Sequence, residues 1–326
     1  MPLPRGIFIA AVGSLLLAAS GNPDLTCATS KDLGLLVECI RAHMPRKEPP
    51  GYVAPTPSQR ADWRIVVNQM MQGSCDFAVP VSLSGIVQVR TFTDTGNRRN
   101  YCLLMEVRDQ NGDGLVDNGF GTFIVYSKAS RQLSHQAVHP IADSSTEKQA
   151  VTVFKDTGSR SFLIAGAHRD ANSKESACLP PHPESDASHD SNTMVQATNE
   201  ELLAYYGTAS WFAIQWHGMD TSRCPSHVFP SHGLDIAPAP TDKIAVLRDR
   251  LLLHHPTWRV DLPGYGACIL NATENVQGRL LNGIPAERVC CTPASSYTQK
   301  FIHIEQDPDD FRNPSNWIAP ITDTFP

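Results

Sequence analysis

Phe162-Leu-Ile-Ala-Gly-Ala-His168-Arg-Asp170-Ala-Asn-Ser-Lys-Glu175 decides the fold class. Its first half is small and apolar, and no charge appears until the chain reaches His168. A continuous apolar run that meets polar residues at its end reads as a buried strand entering a site. Two later stretches have the same shape: Trp211-Phe-Ala-Ile-Gln-Trp-His217 and Phe301-Ile-His-Ile-Glu305-Gln-Asp307. Three runs that each deliver a His or a carboxylate near their C-terminal ends predict an α/β fold. Open α/β sheets bind ligands outside the carboxyl ends of their strands, so one shared site is expected there.

The segments between these runs have helical character. Thr198 to Tyr206 reads as a helix stopped by Gly207, and Thr241 to His254 as an amphipathic helix. Gly278 to Gly283 reads as a polar turn. Residues 148–326 are therefore expected to form a mixed sheet flanked by helices. Residues 22–147 are expected to form a small helical and β-meander region. It holds helical spacing around Cys27 to Cys39, a Pro-rich linker from Pro49 to Pro57, and a second helix capped by Ser58. Alternating strands follow from Phe77 to Ser127. Asp109-Gln-Asn-Gly-Asp113-Gly opens like a calcium loop but has Phe120 where the closing Glu belongs. A turn built by Asp, Asn and Gly without metal is the simpler expectation.

The chain has 326 residues, is 18% charged and carries a formal net charge of −6. Nothing here attracts a polyanion, so a nucleic-acid partner is not expected. One basic residue, Arg5, precedes an apolar run from Ile7 to Ala19 that closes on small residues. This predicts a secretory signal over residues 1–21, a secreted chain, and no membrane span after cleavage. Nine cysteines then predict disulfides, with one left over. The expected pairs are Cys27–Cys39, Cys75–Cys102 and Cys178–Cys224, with Cys268 joined to Cys290 or Cys291. Asn271-Ala-Thr273 is a glycosylation sequon and predicts a surface loop in a glycoprotein.

A hydrolytic zinc site needs three protein ligands, an open position and a nearby carboxylate base. His168 and His217, each following a strand-like run, are the candidate imidazole ligands. Glu175 is the favoured third ligand, with Asp170 as the alternative. Glu305 is the candidate base, because alternation places Phe301, His303 and Glu305 on one strand face. A serine mechanism would draw on Ser185-Asp186 with His189, or on Ser231 with His232, but no GxSxG elbow occurs.

The order of His168 with a downstream carboxylate, strand-end His217 and strand-end Glu305 resembles the zinc carboxypeptidase-like hydrolases. These include carboxypeptidases, succinylglutamate desuccinylase-like amidohydrolases and poly-γ-glutamate hydrolases. The resemblance runs from about Lys148 onward and implies a phosphorylase/hydrolase-like sheet. It implies Zn2+ held by His168, Glu175 and His217, with Glu305 as general base. It further implies that Arg279, with Asn282 beside it, grips a carboxylate on a peptide or small-molecule substrate. The implied activity is hydrolysis of a peptide or γ-glutamyl amide by metal-activated water. The chain departs from the usual HxxE spacing, since Ala171 stands three residues after His168 and Glu175 seven. The rival expectation is a secreted binding protein with an inert site.

Overall fold

In the computed structural model, residues 1, 24–47, 51–265, 268–308 and 310–326 are described. The signal expected over residues 1–21 lies outside them, apart from Met1. The elements follow in the order α1 (Leu33–Ala42), α2 (Pro57–Met71), β1 (Val87–Asp94), β2 (Arg99–Glu106), β3 (Thr122–Val125), β4 (Arg131–Ala137), α3 (Thr146–Asp156) and β5 (Ser159–Ile164). Then come α4 (Met194–Tyr206), β6 (Phe212–Gly218), β7 (Val228–Ser231), α5 (Lys243–His254), α6 (Val276–Leu281), β8 (Phe301–Gln306) and α7 (Ser315–Thr324).

All eight strands join one mixed sheet in the order β1-β2-β3-β5-β4-β6-β8-β7. The centre, β5-β4-β6-β8, is parallel, while the β1–β3 meander and β7 run antiparallel at the two edges. This is the α/β sheet flanked by helices that the three apolar runs predict. The β1–β3 meander and β4, all before Lys148, extend the same sheet.

Every residue of β5 is buried, as expected of a parallel strand covered on both faces. Phe162 and Ile164 face one layer with α1, α3, α5 and α7, and Leu163 faces the other with α2 and α4. Helix α4 ends at Gly207, whose φ of 54° suits a residue without a Cβ. Thr56 caps α2 rather than Ser58: its side chain accepts from Gln59 N, the Gln59 side chain returns the bond, and Pro57 opens the helix. The Gly278 region is helix α6, not a turn, because Asn275 caps it and Gly278 lets its backbone pass close to the Phe301 ring. The alternation at Val79, Val81 and Leu83 gives a short 3₁₀ turn with Val81 exposed.

Four disulfides form: Cys27–Cys39, Cys75–Cys102, Cys178–Cys290 and Cys224–Cys268. The first two match expectation. The pairing of Cys178 with Cys224 does not occur, since Cys178 reaches the segment after α6 instead, and Cys268 joins Cys224 and neither Cys290 nor Cys291. Cys291 is free and exposed. Four bridges fit an oxidising compartment. Among the described residues, no helix is long and apolar enough to cross a membrane.

The Asp109 loop closes on itself. The Asp109 carboxylate accepts from Gly112 N at 2.7 Å and Gly114 N at 2.9 Å, the side-chain-to-backbone bonding of an Asp-Gly turn. The sequon does not present its Asn on the surface: Asn271 is only 6% exposed.

Candidate metal centre

Strand order decides which residues meet. β4 lies between β5 and β6, so the run ending near His168 is not adjacent to the run ending at His217. Neighbouring strands stand about 4.8 Å apart, which puts β5 and β6 roughly 10 Å from one another. β4 fills that gap and delivers its own imidazole, His139, two residues past its last member Ala137. The chain then turns through Pro140 into α3, and Asp143 sits in that turn. The Asp143 carbonyl accepts from Thr146 N and Thr146 Oγ1 at the helix start. The parallel register of β6 and β8 sets His217 opposite Glu305.

His139, Asp143 and His217 converge, all buried, with one potential ligand atom from each within 4.8 Å of the others. Asp143 Oδ2 lies 3.3 Å from His139 Nδ1 and 3.3 Å from His217 Nδ1. The rings meet edge to face with centroids 5.0 Å apart. Each imidazole is held from behind through its other nitrogen. His139 Nε2 lies 2.9 Å from Asp186 Oδ1, and His217 Nε2 lies 3.4 Å from Gln215 Oε1. Gln215 is itself fixed, donating to Gln136 and Gln277 and accepting from Asn275. Two imidazoles and a carboxylate facing one point, with each ring's far nitrogen engaged, is the donor set and outer support of a metal centre.

The electrostatics of the cluster favour positive charge. Burial alone would lower His139, but the Asp186 and Asp143 carboxylates outweigh it and raise the imidazole to about 9. Burial would raise the Asp143 carboxyl, yet His139 and His217 hold it far below the ordinary range. Burial and the neighbouring His303 push His217 down to about 4. A proton on His139 supplies that charge.

Glu305 stands beside the cluster. His217, His303 and Glu305 form a second convergent group, with His303 Nε2 3.3 Å from Glu305 Oε1 and the His217 and His303 rings 4.5 Å apart. Burial works to raise the Glu305 carboxyl, but the His303 hydrogen bond and charge reverse it and lower its pKa. Both groups line a cleft of about 470 Å³ that also takes in Arg169, Arg223 and Asn275.

Of the residues expected from sequence, the structure brings His217 and Glu305 together and leaves the others apart. His168 does not line the cleft; its Nδ1 accepts from Asp170 N at 3.0 Å, and its own N–H donates to Pro45 O. The small residues before it serve packing, since a Cβ at Gly166 would collide with the backbone of Gly119 and Gly121. Glu175 is exposed, and its backbone bridges to Pro183. Asp170, the alternative ligand, reaches the cleft edge but pairs with Lys47 Nζ at 3.5 Å. Arg279 is buried and donates to the Thr273, Val289 and Cys290 carbonyls, so it is a backbone clamp. Asn282 donates to His232 O and accepts from Thr298 N. The serine arrangements also dissolve. Ser185 Oγ donates to Arg169 O, and Ser231 Oγ donates to Asn271 O.

His139 and Asp143 were hidden because β4, Arg131-Gln-Leu-Ser-His-Gln-Ala137, has too many polar residues to read as a buried strand. The available signal was His139-Pro-Ile-Ala-Asp143 immediately before a helix: a His and a carboxylate one turn apart at a helix entrance.

No family model matches the chain, and no curated protein matches it. Among solved structures, the gene product Atu2144 from Agrobacterium tumefaciens is similar over 59% of this chain and 86% of that one, at 11% identity and a TM-score of 0.29. A likeness that distant carries no argument about function.

Proposed function

We propose that the chain is a secreted zinc hydrolase of the carboxypeptidase-like kind, cleaving a peptide or γ-glutamyl amide next to a carboxylate. The observation that carries this reading is the arrangement around Asp143. Two imidazoles turn Nδ1 toward one carboxylate oxygen, each braced at Nε2, with a second carboxylate, Glu305, on the neighbouring strand. His139, Asp143 and His217 would hold the metal, in place of the set that the resemblance implied. Zinc held there would supply Lewis acidity and lower the pKa of a bound water toward about 7.

The protein's own groups do the rest. Glu305 takes the proton of the attacking water and returns it to the leaving amine nitrogen. His303 orients that carboxylate and keeps it ionised. Arg169 and Arg223 line the cleft and take the place of Arg279 as the cations available to a substrate carboxylate. Asn275, which donates to Gln215, is a neutral polar group on the cleft wall.

The test is metal content together with hydrolysis of N-acyl amino acids and dipeptides. Wild type should carry zinc and cleave; His217→Ala and Asp143→Asn should lose the ion held at this centre and the activity with it; Glu305→Gln should keep the metal and lose at least about 100-fold in kcat. A wild type that stays metal-free after zinc loading overturns the reading and leaves a non-enzymatic binding protein.

A further inference from the structure

The same cleft holds a second constellation outside the group around Asp143. His182 and His189 stack with ring centroids 3.7 Å apart and planes within 6°, and Glu274 closes on them. One ligand atom from each of the three lies within 4.8 Å of the others. We propose that His182, His189 and Glu274 form a second divalent-cation site, coupled to the first through Asp186. The coupling deepens the hydrolase reading and rests on it.

Three observations carry the proposal. Parallel imidazoles at 3.7 Å repel one another when both are protonated, and a tilt of one ring out of the stack would turn both in-plane lone pairs on one cation beside Glu274. The nitrogens are also already sorted. His189 Nδ1 lies 3.0 Å from Asp186 Oδ2 and His182 Nδ1 lies 3.9 Å from it, so the ring edges bearing Nε2 are left for an ion. Two imidazoles and a glutamate are a zinc donor set. Finally, the other oxygen of the same buried Asp186 braces His139. A carboxylate behind a ligating imidazole fixes the ring and raises its basicity. Here one carboxylate stands behind imidazoles of both groups. An ion at either site removes proton competition for Asp186 and orders it for the other. Two cations in one cleft would favour a substrate with a carboxylate set apart from the scissile amide.

The test uses the full secreted chain, stripped with chelator and dialysed against micromolar free Zn2+, with bound zinc counted by elemental mass spectrometry. Two ions per wild-type chain are expected, falling to one in His182→Ala/His189→Ala and to one in Asp143→Asn. Glu274→Gln, altering an exposed residue, should also fall to one and guards against misfolding of the double variant. Asp186→Asn should weaken both sites about 10- to 100-fold. One ion in wild type that Asp143→Asn abolishes and the double variant retains overturns the second site while sparing the first. A second ion that appears only at millimolar zinc, or persists in Glu274→Gln and in the double variant, overturns it too. A wild type with no ion overturns both readings.

Discussion

His135 on β4 provides a sharp test of how the sheet centre is built. It is fully buried and stacked on Trp216, with ring centroids 5.9 Å apart. Its Nδ1 accepts from Trp216 Nε1–H at 3.2 Å, and its Nε2 lies 3.0 Å from Ser159 Oγ. An imidazole that accepts at one nitrogen must be neutral, and burial lowers its pKa from 6.5 to about 3. The folded value is depressed below the unfolded one, so the stabilisation is complete above about pH 6.5. It is lost as pH falls toward 3, because only the unfolded chain takes up the proton. Between pH 7 and pH 4.5 the linkage amounts to about 2.5 kcal/mol, from roughly two pH units at 1.36 kcal/mol each. The assay is urea denaturation of wild type and His135→Gln at both pH values, with EDTA present so that metal binding does not contribute. The variant should be less stable at pH 7, having lost the pair of hydrogen bonds, yet should lose about 2.5 kcal/mol less than wild type on acidification. Equal pH losses in the two proteins, within about 0.5 kcal/mol, would refute the buried neutral imidazole.

Further outcomes follow from other parts of the molecule. Gln215→Leu removes the acceptor behind His217 Nε2 and should weaken zinc binding about 10- to 100-fold, read by competition with a chromophoric chelator. Zinc at 100 times the Kd of the Asp143 centre should stabilise the wild type through that centre by about 2.7 kcal/mol in calorimetry, and Asp143→Asn should remove that share of the gain. Gly166→Ala drives a methyl into the Gly119–Gly121 backbone and should cost about 1–3 kcal/mol in denaturation, without changing metal content. Removing Cys178–Cys290, whose partners are 112 residues apart, should cost about 5 kcal/mol, against about 3 for Cys27–Cys39 with a separation of 12. Equal losses would show that native-state contacts, not loop closure, set the contribution of these bridges.

The α/β class was legible because residues 162–164, 213–216 and 301–304 are buried and largely apolar. His217 and Glu305 were legible as the polar ends of two such runs. β4 was not, because its buried polar groups find partners only in the assembled sheet. Gln136 meets Asn199 and Gln215, and His135 meets Trp216 and Ser159. Periodicity measures hydrophobicity and is blind to hydrogen bonds made with distant strands. The same limit misassigned Arg279, whose partners are backbone carbonyls that no side-chain pattern records. The disulfides followed their loops. The two local bridges were readable from spacing, whereas the pairs at Cys178 and Cys224 depend on where α6 and the segment after it come to rest.

The rung that sets His217 opposite Glu305 acts as a ruler. Successive residues of a strand point to opposite faces, so a slip of one residue between β6 and β8 would turn either the imidazole or the carboxylate away from the cleft. Intermediate spacings between this imidazole and this carboxylate are therefore inaccessible to small adjustments of the backbone. The loops that bound the cleft, by contrast, can lengthen or change composition without disturbing that distance. In such a scaffold, the walls of the cleft are free to drift while the spacing of its two strand-borne groups stays fixed.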